Sequence, residues 1–335
     1  VTIEALKRKM YVIVVTLSLS VLFSACSIRR MAMNMVADSL TGGGSGNVFT
    51  SDNDPELVGD ALPFAIKMYE SLMASIPGHS GLQVQTGSMY IMYANAYLQT
   101  PASMLKNTEL NRKETLLARA RNLYLRGRDI LLEDLEGKYP GFRSELAEKP
   151  HSRAVKKCSS GDVASLYWAA AGWVAAYAID PFDMKLGLTV PQAEALMQRV
   201  LELDPGFGNG SIHDFYILYY GSLPEYMGGN ADKAREHFRH SVSVSKGIST
   251  SPYLSLATTV CIKQQRLDEF RKLLGMALDI NPEKNRENRL VTILNQRRAR
   301  WLLQNQEDFF LEASSDLDPP GSSSGPSQVS QEDQP

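Results

Sequence analysis

Three cysteines in 335 residues are too few for a disulfide framework. Strand signals are scarce: no tight hairpin turn stands between alternating β-branched runs, which argues against an all-β fold. Excess positive charge is missing as well. Lys and Arg number 35 against 37 Asp and Glu, so a nucleic-acid partner, which needs a basic face, is not expected. There is no Gly-rich phosphate loop, no Cys-x-x-Cys and no nucleophile elbow. The expectation is a protein that is not an enzyme, with no catalytic residue, no cofactor and no metal site.

Long hydrophobic runs are absent except for one. Lys7, Arg8 and Lys9 precede an apolar stretch from Met10 to Val21, and Leu22-Phe23-Ser24-Ala25-Cys26 follows. The run is short for a bilayer-spanning helix and reads as a signal peptide over 1–25 with a lipoprotein cleavage box, Phe23 standing where Leu is usual. Cys26 is then the lipid-attachment residue, carrying a covalent diacylglycerol and an N-acyl chain such as palmitate. Two or more chains hold a protein stably on a membrane where one does not. An ordinary cleaved signal is the alternative. Ser27, in place of Asp, leans towards the outer membrane. Removing Lys7, Arg8, Lys9 and Glu4 takes the formal charge from −2 to about −4.

The remaining cysteines differ in context. Cys261 lies in an apolar helical stretch and Cys158 in a basic polar one, and a disulfide between them stays open at this level. Residues 26–52 include Thr41-Gly42-Gly43-Gly44-Ser45-Gly46 and read as a lipidated N-terminus and flexible tether. Residues 311–335 are acidic and rich in Pro, Ser and Gly, and read as a disordered tail.

Between them, 53–310 reads as helix throughout. The expected helices are 55–76 (kinked at Pro63), 82–99, 111–135, 162–179, 190–203, 211–226, 230–246, 251–264, 267–280 and a capping helix 284–305, about eleven in all. One pattern recurs at offsets 0, 4, 7 and 12: Ala65/Tyr69/Leu72/Pro77, Ala193/Met197/Val200/Pro205 and Phe270/Leu274/Ala277/Pro282. Ala120/Tyr124/Gly127 and Ala234/Phe238/Ser241 repeat it without the proline. The first three offsets fall on one helical stripe, and the proline stops the helix. This is the pattern of the second helix of a tetratricopeptide (TPR) repeat, and Trp168/Ala171/Gly172/Ala175 matches a first helix. The fold class expected is all-α, a TPR-like superhelix of irregular repeats with a C-terminal cap. The spacing between copies is irregular, with a Pro- and Lys-rich insertion over 136–160.

Helical solenoids offer a concave face built from first helices, and here these are rich in aromatics. Tyr90, Tyr93 and Tyr97; Trp168, Trp173 and Tyr177; and His213, Tyr216, Tyr219 and Tyr220 are the candidate groove residues for a ligand or partner. Core packing is the competing reading for each. Met68, Met89, Met92 and Met104 are placed either to line an apolar passage or to fill the core. His237 and His240, with Glu236, read as a solvated helix face rather than a metal site. His213-Asp214 reads as a cap or a groove element. Arg297, Arg298 and Arg300 suit the negative end of the last helix.

Four separated blocks carry a family resemblance: 51–72, beginning Ser-Asp-Asn-Asp-Pro-Glu-Leu; Leu166 to Trp173; Tyr220 to Pro224 with Gly228-Gly229-Asn230 and Ala234 to Phe238; and Asn288 to Leu303. Together they resemble the TPR-containing T component associated with TRAP (tripartite ATP-independent periplasmic) transporters, over about 38–310. The resemblance implies a periplasmic, lipid-anchored accessory protein. It implies a substrate-binding P subunit as partner, a homo-oligomer (a trimer), and a solute passed through a groove or pore. The alternative is an envelope-organising or outer-membrane assembly scaffold with no ligand.

Overall fold

In the computed structural model the structure describes residues 47–311 continuously, residues 33–42, and Met31, with Ile3, Glu4, residues 7–11 and Ile13 nearer the start. Cys26, the expected lipid-attachment residue, most of the segment expected to be a signal peptide, and the residues from 312 lie outside the described residues. Among those described there is no strand, and no helix is long and apolar enough to cross a membrane.

Among the described residues ten main helices follow one another: α1 Pro55–Ser75, α2 Ser80–Tyr93, α3 Leu110–Lys138, α4 Val163–Ile179, α5 Val190–Leu203, α6 Phe207–Ser222, α7 Ala231–Val244, α8 Ser251–Leu256, α9 Leu267–Leu278 and α10 Arg289–Gln304. Their starts follow local chemistry. Asp54 accepts from the Leu57 N–H at 3.0 Å, with Pro55 in the first helical position, where a missing N–H does no harm. Asn230 caps α7 through the Lys233 N–H at 2.9 Å. All five copies of the 0/4/7 stripe are turned inward. Ala120, Tyr124, Ala193, Met197, Val200, Ala234, Ser241, Phe270, Leu274 and Ala277 are fully buried, and Ala65 and Tyr69 nearly so.

Each helix packs on the next in sequence. The even-numbered helices also touch each other in a row: α2 on α4, α4 on α6, α6 on α8 and α8 on α10. The odd-numbered helices each pack against their neighbours in that row. Small residues permit the close approaches. A Cβ on Gly127 would lie 2.7 Å from the Gly87 carbonyl oxygen, so α2 and α3 meet backbone to backbone. Gly172 lets α4 settle against Ile91 and the Tyr124 carbonyl.

The row then closes. Helix α10 returns to α1 and to the short helix Asn47–Thr50. Leu290 joins the core under α1 and α2, with Leu294 packed against it. Arg289 Nε donates to the Ser51 carbonyl at 2.8 Å, and both amino nitrogens of Arg297 grip the Glu56 carboxylate. The terminal Arg cluster therefore does more than complement a helix dipole.

Four local expectations change. Within the stretch read as a tether, 33–41 is helical: Met33, Ala37 and Leu40, at offsets 0, 4 and 7, pack into the first core. Tyr69 Oη donates to the Leu40 carbonyl at 3.0 Å, and His79 bridges Asp38 and the Leu82 N–H. Pro63 sits inside a continuous α1. It supplies no N–H to Gly59 four residues earlier, and the Tyr97 ring rests on that glycine. The insertion is partly helical, at Phe142–Ala147 and Ser152–Val155, and these turns bury Cys158. Cys158 and Cys261 are both free thiols, sealed in separate cores, so no disulfide joins them.

Candidate functional site

Two helices of the inner row break α-helical register. α2 runs on into a π-helical turn, Ala94–Gln99, and α8 into another, Ala257–Cys261. Such insertions reset which side chains face a partner, and they gather at functional sites. Beyond the first, Pro101 withholds the N–H that the Tyr97 carbonyl would take.

Three side chains on the inner row share an unusual setting. Tyr167 of α4, Asp214 of α6 and Arg298 of α10 are walled by protein on all sides, yet each remains partly open to water. They border space that water reaches beside the even-numbered row. Tyr167 and Asp214 stand together, with Ser211 close by, its Oγ donating to the Gly208 carbonyl at 2.7 Å. The Asp214 carboxylate accepts from Ser241 Oγ at 2.6 Å and has no cationic partner, so burial pushes its pKa up to about 7. Arg298 makes no hydrogen bond or ion pair among the described residues. Burial pulls its pKa below the ordinary guanidinium value, opposed only by the Tyr124 phenol nearby. Tyr124 Oη is already committed, donating to Gln99 Oε1 at 2.5 Å at the end of the π-turn.

Beside this space lies a dense imidazole–phenol cluster between α6 and α7. His213 Nδ1 and His237 Nδ1 are 3.0 Å apart, so one donates and the other accepts. Burial, then the neighbouring imidazoles, lower both pKa values, that of His237 to about 4, which keeps both rings neutral near pH 7. The His237 ring stacks on Tyr216 at 4.6 Å and on Tyr220 at 5.8 Å. Phe215 stacks on Tyr219 at 5.8 Å. His240 is exposed, as expected of a solvated face, but His237 is half-buried against α6, which corrects that reading. Among the described residues no three His, Cys, Asp or Glu side chains gather as metal ligands.

The other sequence candidates separate into distinct places. Tyr93 and Tyr97 stack at 5.6 Å, and Tyr97 Oη donates to the Pro55 carbonyl, pinning α2 to the start of α1. Tyr90 donates to Glu70 at 2.7 Å beneath the Arg126 guanidinium. Trp168 meets Tyr167 edge-on at 5.2 Å, next to that space. Trp173 points elsewhere. Its Nε1 donates to Thr189 Oγ1 at 2.9 Å, and Arg128 covers its ring at 4.7 Å in an outer groove of about 420 Å³. Tyr177 is buried with its hydroxyl 3.8 Å from Met227 Sδ. Met89 is wholly core, whereas Met68 is exposed.

Sequence reasoning missed Arg298 as a member of a site. Arg298 shares a turn with exposed, charged Arg297 and Arg300, which is the signature of a wet helix face. The one usable signal was its place four residues beyond Leu294 and eight beyond Leu290, on the apolar stripe.

The chain is similar to known proteins along most of its length. A family model described as TRAP transporter T-component matches residues 51–310. A protein of Treponema pallidum (strain Nichols), described as uncharacterized, is 35% identical over 306 residues, which is 87% of this chain and 95% of the relative.

Proposed function

Because the chain belongs to the TRAP transporter T-component family, we propose that it is a periplasmic, lipid-anchored accessory protein whose TPR-like array docks the substrate-binding P subunit. The solute enters the space bordered by Tyr167, Asp214 and Arg298. Cys26 carries the acyl chains, and protomers associate, as a trimer.

What supports this reading is the family match, with the return of α10 to α1 and the partly wet, poorly paired Asp214 and Arg298 beside the even-numbered row. A core built only for stability excludes water and pairs its charges. The interior here does neither at Asp214 and Arg298. A helical array of this kind also offers an extended surface to a protein partner.

The test is co-purification. The full-length chain in detergent, mixed with the P subunit at high micromolar concentration, is expected to co-elute with it on size exclusion. Separate elution would reject the docking role. Trp168→Ala, next to that space, is expected to weaken solute binding while the array stays folded. Mass spectrometry of the membrane-extracted chain reads the acyl chains directly, and Cys26→Ser is expected to release the protein from the membrane.

A further inference from the structure

We propose that the loop after α4, residues 180–189, enters an anionic phospholipid surface: its apolar side chains pass into the lipid, and the basic groove behind it receives the headgroups. This rests on the proposed lipid anchorage, which keeps a membrane within the chain's reach.

The loop turns its large apolar side chains outward. Phe182, Met184 and Leu188 are exposed at 91%, 74% and 79%. The loop is pinned in this pose. Asp183 accepts from the Leu186 N–H at 2.9 Å and pairs with Arg121. Thr189 Oγ1 donates to the Leu186 carbonyl at 2.7 Å and accepts from Trp173 Nε1. Leu186 and Val190 are seated in the core. Tyr226, 88% exposed, joins the loop from the turn between α6 and α7. Its neighbour Met227 touches the Tyr177 hydroxyl, and the Tyr177 ring lies against Gly187. A single exposed apolar residue is ordinary, whereas four on adjoining turns mark a surface that meets something.

Behind the loop lies the outer groove of about 420 Å³, with α3 and the short helix Phe142–Ala147 as its other walls. Arg121, Arg128, Arg143 and Lys185 line it against two carboxylates, so positive charge is in excess. Those carboxylates, Asp129 and Asp183, are already taken by Arg128 and Arg121. Lys185 is exposed between Met184 and Leu186, with no ion pair or hydrogen bond among the described residues. Arg121 Nε is buried beside the groove with no acceptor.

Charge and shape together select the occupant. The groove calls for anions and the loop calls for an apolar medium, and a phospholipid surface supplies both side by side. The apolar side chains project singly from a narrow loop, separated by Asp183 and Lys185. A protein interface buries a broad, closely packed patch, whereas acyl chains close around separate protrusions. The Lys185 stem is long enough to keep its ammonium among headgroups while Met184 and Leu188 are immersed.

The experiment places the full-length chain on vesicles of phosphatidylcholine with brominated acyl chains, with and without phosphatidylglycerol. Phe182→Trp puts a reporter at the loop, and the parent, with Trp168, Trp173 and Trp301, supplies the background. Phe64→Trp, at an exposed position of α1, is the control. With phosphatidylglycerol present, the Phe182→Trp emission is expected to move to the blue and to lose most of its intensity, and the control to change little. Lys185→Glu, which breaks no contact in the fold, is expected to weaken insertion by about tenfold, and raised salt to weaken it as well. Three results would overturn the proposal: an unquenched reporter, equal quenching at Phe64→Trp, or quenching indifferent to both phosphatidylglycerol and Lys185→Glu. Shielding of the reporter from acrylamide by added P subunit or by rising chain concentration, without quenching by brominated lipid, would assign the loop to a protein and reject the lipid. Mass spectrometry of the same sample reads the acyl chains. An acylated chain with an unquenched reporter overturns the loop's role alone, and a quenched reporter on an unacylated chain overturns the anchorage alone.

Discussion

Two regions of this molecule bury charge, and they treat it differently. At the junction between α3 and α4, Lys138 Nζ lies 2.9 Å from Asp134 and 3.1 Å from Asp162. Asp134 also accepts from Ser165 at 2.6 Å, and Asp162 from Tyr139 at 2.7 Å and from the Ser159 N–H at 2.8 Å. Burial alone would raise the Asp162 pKa. These donors outweigh it and hold the carboxyl below its ordinary value, and the two carboxylates likewise raise the Lys138 pKa against burial. Every charge there is answered, and the network ties the insertion after α3 to the start of α4. On the inner row, Asp214 has one hydroxyl donor and Arg298 has no acceptor among the described residues. Answered charges brace the fold, whereas the unanswered ones stay where water still reaches them.

The comparison is broken most forcefully at Lys138. Lys138→Met leaves two buried carboxylates facing each other and is expected to destabilise by about 3 kcal/mol, measured by denaturant unfolding at neutral pH. The Asp162 carboxylate loses its stabilising role as pH falls: a depressed pKa contributes above the unfolded value and is lost through the folded one. The parent should therefore weaken on acidification below about pH 4, and a flat profile there would undo the account.

Asp214→Asn is expected to act in the opposite sense. Its raised pKa means that folding favours the protonated form. The favourable state is complete below about pH 4 and is lost as pH rises towards 7. The amide keeps an acceptor for Ser241 and carries no charge. The variant should match the parent at pH 4 and exceed it at pH 8 by about 2 kcal/mol, less than the full shift implies because the carboxylate is still partly wet. Equal stability at both pH values would mean that Asp214 has a partner after all.

Ser165→Ala sharpens the contrast at smaller scale. It removes one donor from Asp134 in the answered network and should cost about 1–2 kcal/mol by the same unfolding measurement. Smallest of all is Arg297→Gln. Its pair with Glu56 is exposed, at 45% and 69% of side-chain area, so only a marginal loss of stability is expected. Amide exchange should nevertheless quicken in α1 and α10 and stay unchanged in α4, since only the closure is touched.

Much of the fold was legible in the sequence because it is written in local periodicity. Ala193, Met197 and Val200 need only their own helix to define a buried stripe. The same logic reached Met33, Ala37 and Leu40, but the following glycine run drew attention away from them. What stayed hidden was set by long-range contacts. Arg298 faces inward because α10 meets a helix 241 positions earlier, through Glu56 and Arg297. His237 leaves its solvated face because His213 arrives from α6, 24 positions earlier. Cys158 is buried by short helices in a segment whose composition reads as polar. The aromatic candidates lie on or just beyond the even-numbered helices, yet helical pitch sends Trp168 and Trp173, five residues apart, to different faces.

The return of α10 to α1 also bears on how the chain comes apart. A linear stack of helical pairs frays from its free ends, each pair leaving at modest expense. Here the first and last pairs are each other's neighbours, so neither end is free to peel until the seam at Glu56, Ser51 and Leu290 has parted. Unfolding should then be one concerted transition rather than a sequence of partial losses.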